Sequence, residues 1–272
     1  MRHSVQLEGY GVRLRPVRMD DAAFIVWLRN LGHAKGRIGD SAEDVNSQTA
    51  WLKDYFERAG DYYFIIETLG GIPIGTQGVY DIQGDAAEVG RWVIRPQVQA
   101  AMPSYMLILD HAFTELQLKQ LRATTITANR GVISLNKKVG FEQFRTEPGE
   151  RIINGEPMDI VHCVLRAEAW FKSRERLRPT AELAERLVRE WEQDQFRLAS
   201  SPAGGNPDAP GVDHLAGLAV KHPVSASARV QRLGMVLLLL VALGLGAFAG
   251  LRTRGRGIQR SSLDTFSLQP CA

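Results

Sequence analysis

Between residues 61 and 94 three apolar stretches follow one another with only short turns between them. They are DYYFIIET, then the Gly70-Gly71 turn, then IPIGTQGVYDI, then a polar turn, then AAEVGRWVI. Connections that short join antiparallel neighbours. The next segment breaks this meander. PSYMLILDHAFTEL has the spacing of an amphipathic helix, and QLRATTITA, rich in Thr and Ile, is a strand beyond it. A strand reached through a helix requires a crossover, so at least one strand pair is parallel. The chain is therefore confined to a mixed sheet with helices packed on it, of the α+β or mixed α/β kind.

The flanking segments extend the same plan. YGVRLRPV at 10–17 alternates apolar and basic residues, as a half-buried strand does. Met19-Asp20-Asp21 opens a helix, with Asp20 or Asp21 as its cap and Ala22, Phe24, Ile25, Trp27 and Leu28 on its apolar side. After the polar loop LGHAKGRIGDS, the segment SQTAWLKDYFERA predicts a second helix with Trp51, Leu52, Tyr55 and Phe56 on one side. NRGVISLNKKVGF predicts a short helix ending at Gly140 as its C-cap, and FEQFRTE and PMDIVHCVLRA complete the sheet. The order is β-α-α-β-β-β-α-β-α-β-β over residues 10–167, which is domain-sized.

Beyond residue 167 the character changes. AEAWFKSRERLRP and TAELAERLVREWEQDQF predict two charged helices broken at Pro179, so 168–198 reads as a helical extension. Residues 199–228, rich in Ser, Ala, Gly and Pro, have the composition of a flexible linker. From Leu233 to Leu251 no charge occurs over 19 residues. Such a helix is about 28 Å long, close to the roughly 30 Å of a hydrocarbon core. One transmembrane helix is expected at 233–251, with a tail at 252–272. Gly244, Gly246, Ala247 and Gly250 would suit a helix-helix contact. Arg229 and Arg232 precede the stretch, whereas Arg252, Arg254, Arg256 and Arg260 follow it. The positive-inside rule places most arginines on the cytoplasmic side, which conflicts with a cytoplasmic domain ahead of the span.

A net charge of +3 over 272 residues gives no argument for a nucleic-acid partner. Two cysteines, Cys163 and Cys271, are too few for a disulfide framework and fit a reducing compartment. The N-terminus MRHSVQLEGYGVRLR has no apolar run of signal-peptide length, so the first domain is expected in the cytoplasm. No metal ligand set is expected.

Two stretches carry a family resemblance. AEVGRWVIRPQVQAAMPSYMLILDHAF is a strand, a loop and a helix, and NRGVISLNKKVGF has an Asn, then a Ser, then a Lys, then Gly-Phe. With the element order, they resemble the GCN5-related N-acetyltransferases, the GNAT family. The opening RLRPVRMDDAAFIVWLRN is similar to the branch that acetylates protein N-termini and sugar amines. The resemblance covers about residues 10–167. It implies a central mixed, twisted sheet flanked by helices, acetyl-CoA as cosubstrate and a small-molecule amine as acceptor.

Two departures stand out. The family loop reads Arg or Gln, two residues, Gly, one residue, then Gly or Ala. Here the aligned residues are Pro96-Gln97-Val98-Gln99-Ala100-Ala101, without the glycine that permits positive φ and close approach to a pyrophosphate. At the position where many members carry a general-acid tyrosine, this chain has Asn136.

Acetyl transfer sets three requirements. The diphosphate and pantetheine must be held, and a helix N-terminus is a ready anion site. That points to the amides of Gln99, Ala100, Ala101 and Met102 and to Ser104; Ser104 as a plain helix cap is equally compatible. The resemblance adds Asn129, Ser134 and Lys138, against which stand an ordinary N-cap and an exposed charged face. The thioester oxygen must be stabilised as it gains charge, which the resemblance assigns to the splayed strand at Val93 and Ile94. The amine, which ordinarily titrates near pH ~10, must lose a proton. Glu88 is the candidate base, with Asp81 and His111 as weaker ones and a solvent-facing glutamate as the plainer alternative. Trp27, Arg29, Asn30, His33 and Tyr80 are candidates for the acceptor wall. An arginine there suits a nucleotide-sugar phosphate, while Trp27 as core and Arg29 as a surface charge remain open.

Three functions compete. One is N-acetyl transfer to a small amine, such as a nucleotide-linked amino sugar of surface-polysaccharide synthesis. The second is acetylation of a protein N-terminus or lysine. The third is a non-catalytic acyl-CoA-binding module tethered to a membrane.

Overall fold

The computed structural model describes residues 3–38, 42 and 44–200. The expected membrane span at 233–251, the linker from 201 onward and the tail lie outside the described residues. No helix among the described residues is long and apolar enough to cross a membrane.

Eight strands form one sheet: β1 (Leu7–Gly9), β2 (Val12–Pro16), β3 (Tyr62–Thr68), β4 (Pro73–Gln83), β5 (Ala86–Ile94), β6 (Gln120–Ile126), β7 (Glu142–Ile153) and β8 (Glu156–Arg166). Their spatial order is β1-β2-β3-β4-β5-β6-β8-β7. The meander is antiparallel, and β5 with β6 is the parallel pair that the crossover demands. The helices are α1 (Ala22–Arg29), α2 (Val45–Phe56), α3 (Ala101–Asp110), α4 (Arg130–Val139) and α5 (Ala167–Ala199).

Local chemistry explains most boundaries. Asp44 caps α2, its carboxylate accepting the Ser47 amide at 2.8 Å. Gly140 ends α4 in the left-handed region at φ 112, as expected of a C-cap. Asp21 accepts the Arg18 amide at 2.7 Å and closes the 3₁₀ turn Met19–Asp21 ahead of α1. The same carboxylate pairs with Arg15, whose guanidinium also reaches Glu67. This buried network fixes β2 on β3 beneath α1. Removing one partner of such a network costs about 3–5 kcal/mol.

Strand β1 precedes the first strand expected from sequence, and two further segments differ from that expectation. Residues 142–166 form a long hairpin with a turn at Asn154-Gly155, where both residues have positive φ, 52 and 83. That is the pairing a tight hairpin turn requires. Helix α5 is not broken at Pro179 but runs unbroken for 33 residues. Its buried positions Trp170, Ser173, Leu177, Ala181, Ala184 and Val188 continue at helical spacing on both sides of the proline. Pro179 and Glu175 are exposed, so the carbonyl freed by the missing amide faces water. Trp170 is fully buried, and its indole donates to Asp110 Oδ1 at 2.8 Å. The helix is part of the packing, lying against α3, α4 and β8.

The main core lies between the sheet and α3 with α5; a second cluster lies under α1 and α2, around Ile25, Leu52, Tyr55 and Ile65. After α3 the chain widens into a π turn at His111–Glu115. There His111 packs edge-on against Tyr62 and Phe64, which His3 also contacts. Burial holds both imidazoles below their usual pKa, and a charged His3 lowers His111 further. Both nitrogens of His111 are buried without a hydrogen-bond partner. The native state therefore prefers the neutral rings. Folded and unfolded chains alike carry neutral rings at high pH, so this contribution is intact above the unfolded histidine pKa of about 6.5 and is lost below it as the unfolded chain takes up protons first. The melting temperature is expected to fall between pH 7 and pH 5, and His111→Phe should flatten that decline. An unchanged slope in the variant, by calorimetry, would contradict this account.

Candidate active site

The parallel ladder between β5 and β6 is short. It joins Ala86, Ala87 and Glu88 to Gln120, Leu121 and Arg122, and then ends. The cause lies on the other edge of β5. Thr76 faces Val93 and Gly78 faces Gly90, so Arg91 and Trp92 together oppose the single residue Gln77. Such a bulge bends the strand that carries it. Arg91 takes a left-handed φ of 51, and its carbonyl accepts the Thr76 hydroxyl at 2.8 Å.

The bulge sends its two side chains to opposite faces. Arg91 forms a bidentate pair with buried Asp61. Its guanidinium also lies over Tyr80 at 4.1 Å and near Trp51 and Tyr63. Trp92 turns toward α3, where it stacks on Tyr105 with centroids 4.6 Å apart, and its indole donates to Ser104 Oγ at 3.2 Å. Tyr105 stacks in turn on Phe141 and donates its hydroxyl to Asn136 Oδ1 at 2.8 Å. Asn136, in place of a tyrosine, thus receives a phenol from another helix. Burial pushes the Tyr105 hydroxyl far above its usual range, so it remains a donor.

Where the strands part, a cavity of about 670 Å³ opens. Val89 to Val93 form one wall, Ala123 to Ile126 with Asn129, Val132 and Asn136 the other, and Tyr105 lies among them. Beyond Glu88 no strand among the described residues pairs with the β6 side of β5, so backbone groups face the cavity. A volume of this size accommodates a drug-sized ligand. A slot between two strands with free backbone groups suits an extended amide-bearing chain, which is the chemical character of pantetheine.

Of the residues singled out from sequence, Glu88, Val93, Asn129, Arg29 and Tyr80 share this cavity. Glu88 accepts from Tyr80 at 2.9 Å and from Thr124 at 3.2 Å. Burial, and then the Glu88 carboxylate, drive the Tyr80 phenol well above its normal pKa. Asn129 stands at the N-cap of α4, but its side chain makes no capping bond there.

The others lie outside the lining. Ser104 is fully buried, accepting from Trp92 and donating to the Ala101 carbonyl. Ala100 and Met102 are buried, Ala101 is partly buried, and Gln99 is exposed. Ser134 and Lys138 are exposed on α4. The Ile94 carbonyl meets the His33 ring at 3.0 Å. Asn30 donates to the Val26 and Ala42 carbonyls, and Trp27 packs beside Leu28 and Val93. Of the weaker base candidates, Asp81 pairs with Arg122 at 2.8 Å and His111 lies on the π turn. In the glycine-less loop Gln97 takes the left-handed conformation, at φ 68.

Sequence reasoning missed Arg37, Arg151, Tyr105 and the Asp61–Arg91 pair. Arg37 and Arg151 line the cavity, and among the described residues neither has an ion-pair partner. No periodicity marks such residues, because the cavity gathers them from segments far apart in the chain. Among the described residues no group of three or more His, Cys, Asp or Glu could hold a metal ion.

The family model of the acetyltransferase (GNAT) domain matches residues 12–142. No curated protein sequence gives a match. Among solved structures, apo FdhC, a nucleotide-linked sugar GNAT, is similar with 26% identity and a TM-score of 0.54, over 66% of this chain and 98% of that one. Spermidine N-acetyltransferase from Vibrio cholerae in complex with CoA and spermine is similar with 20% identity and a TM-score of 0.55, over 60% of this chain and 99% of that one. A probable GNAT-family acetyltransferase from Chromobacterium violaceum has 17% identity and a TM-score of 0.55, over 62% and 94%. Residues 12–142 of this chain thus form an acetyltransferase domain of the GNAT type, a family of N-acetyltransferases that use acetyl-CoA as acetyl donor.

Proposed function

We propose that the chain acetylates the primary amine of a small anionic acceptor, specifically an amino sugar linked to a nucleotide. The observation that carries this reading is the charge of the cavity. Among the described residues, Arg29, Arg37, Arg91 and Arg151 line it, and Glu88 is the one carboxylate of the lining. Arg91 is neutralised by Asp61, whereas Arg37 and Arg151 lack carboxylate partners among the described residues. A polyamine would meet repulsion here, and a phosphate would meet bidentate donors. The similarity to the nucleotide-linked sugar GNAT supports the same reading.

Glu88 is the proposed base. Tyr80 and Thr124 hold one carboxylate oxygen, leaving the other available to an ammonium proton, directly or through a water. Backbone amides of β5 near Val93 would stabilise the thioester oxygen, each worth about 3 kcal/mol in such sites. Asn129 would hold the pantetheine arm. The outward-lying candidates Gln99, Ala100, Ala101, Met102, Ile94, Ser134 and Lys138 belong to the phosphate end of the same donor in this reading. Trp27, Asn30 and His33 support the acceptor wall from behind.

A thiol-release assay with acetyl-CoA tests the acceptor. Turnover is expected with nucleotide-linked amino sugars and is expected to exceed that with spermidine or peptide N-termini at least a hundredfold. Preferred turnover of spermidine would refute the charge argument. Glu88→Gln should lower kcat by about 10²–10⁴-fold, the usual range for a positioned base, with little change in the KM for acetyl-CoA. Gly90→Ala should reproduce part of that loss, because a Cβ at Gly90 would collide with the Tyr80 hydroxyl that orients Glu88.

The hydrophobic stretch at 233–251 is proposed to anchor this domain to a membrane. Its support is the uncharged run of 19 residues. An arginine at the centre of a span costs about 2.5–3.5 kcal/mol on insertion scales. Leu240→Arg in the full chain should move protein from the carbonate-resistant membrane fraction to the supernatant. Full solubility of the unsubstituted chain would remove the proposal.

A further inference from the structure

Arg95 is the first residue past β5, and among the described residues no acid pairs with it. Its guanidinium carbon lies 5.5 Å from the centre of the Trp27 ring on α1 and 5.1 Å from that of Trp191 on α5. The cation is thus held between two indoles. Among the described residues it has no ion pair and no side-chain hydrogen bond. Glu192, next to Trp191, directs its carboxylate to the Gly70 amide at 2.7 Å instead.

Two other half-buried arginines of the fold are compensated by acids. Arg15 holds Asp21 and Glu67, and Arg91 holds Asp61. For Arg95, burial lowers the pKa and no neighbouring charge opposes it. Withdrawing a cation from water without a counter-charge is unfavourable, and indole faces compensate only in part. The donors are not sealed off, since the buried unpartnered atoms of the described residues belong to His3, Gln77 and His111 alone. A guanidinium fork over two rings and only partly buried can still pair with a planar or tetrahedral anion. Val93, two residues back along the chain, lines the cavity, and Arg95 itself lies just outside that lining. Trp191 lies outside the matched residues 12–142, so α5 contributes this feature from beyond the family domain.

We propose that Arg95, clamped by Trp27 and Trp191, is a phosphate-binding residue of the transferase. Two substrates bring phosphate: acetyl-CoA, which the family uses, and the nucleotide of the acceptor, which rests on the reading above. The test uses the full chain with Arg95→Gln and Trp191→Leu. Acetyl-CoA is compared with S-acetylpantetheine, which lacks phosphate, as donor. Arg95→Gln is expected to lower kcat/KM for acetyl-CoA at least tenfold and leave that for S-acetylpantetheine unchanged. Trp191→Leu should do the same to a smaller extent. A tenfold rise confined to the KM of a nucleotide-linked amino sugar would assign the phosphate to the acceptor and still support the site. If the chain proves to prefer spermidine, the acetyl-CoA comparison stands unaffected. In the unsubstituted chain, inorganic pyrophosphate or CoA should slow phenylglyoxal modification of Arg95, read by mass spectrometry. This holds even where a variant fails to fold. Absence of protection by either anion, or kinetic constants within twofold of the original in a folded Arg95→Gln chain, would overturn the proposal and leave Arg95 as packing between α1 and α5.

Discussion

The site depends on two residues of β5 facing one residue of β4. With Arg91 and Trp92 set against Gln77, the strand bends and leaves β6 after Glu88. A left-handed φ at a non-glycine residue costs on the order of 1–2 kcal/mol. The bulge persists because both of its side chains are fixed. Arg91 is held by Asp61 under a canopy of Trp51, Tyr63 and Tyr80, and losing one partner of such a buried pair costs about 3–5 kcal/mol, more than the strain. Trp92 is held by Tyr105 and Ser104 on the opposite face. The crevice is therefore a consequence of packing on both sides of the sheet.

The same anchors position the chemistry. Tyr80, which covers Arg91, also donates to Glu88. Tyr105, which supports Trp92, also donates to Asn136 across the gap. Each wall of the cavity thus carries a phenol that burial keeps protonated and that is tied to the bulge. Gly90 belongs to this arrangement for a steric reason, because only hydrogen fits beside the Tyr80 oxygen. Gln97 and Ala100 show the same logic in the loop. The left-handed turn is taken by Gln97, and Ala100 is packed completely into the core, so the loop holds its course without glycine.

Element type and order were legible because they rest on local periodicity. The meander, the crossover through α3 and the Gly140 cap all follow from spacing and turn chemistry. The Asn154-Gly155 dipeptide was an equally local signal for the long hairpin, and FEQFRTE alone understates that strand. Pro179 misled because a proline rule describes an isolated helix. Here the apolar stripe on both sides of it is buried, and the orphaned carbonyl faces solvent. Of the cavity's lining, Glu88 was legible from its strand, Asn129 from the family resemblance and Tyr80 as a candidate for the acceptor wall. Asp61 with Arg91 is a contact 30 residues apart, and Arg37 and Arg151 meet only through the fold, so no local pattern announces them.

The arginines divide by what answers them, and that division is the strongest physical guide to the acceptor. Arg15 and Arg91 have carboxylates within reach and serve the architecture. Arg37 and Arg151 line the cavity with no carboxylate partner among the described residues, and Arg95 stands between two indoles in the same condition. A fold that neutralises its structural cations by nearby acids has the means to neutralise these as well. In the proposed reading these charges disfavour a cationic substrate by repulsion and favour an anionic one by contact, so the same charges would select in both directions. Glu88, the proposed base, lines the same cavity as Arg37 and Arg151. A substrate that is anionic at one end and an amine at the other satisfies both parts of this charge pattern, and a polyamine satisfies only the second.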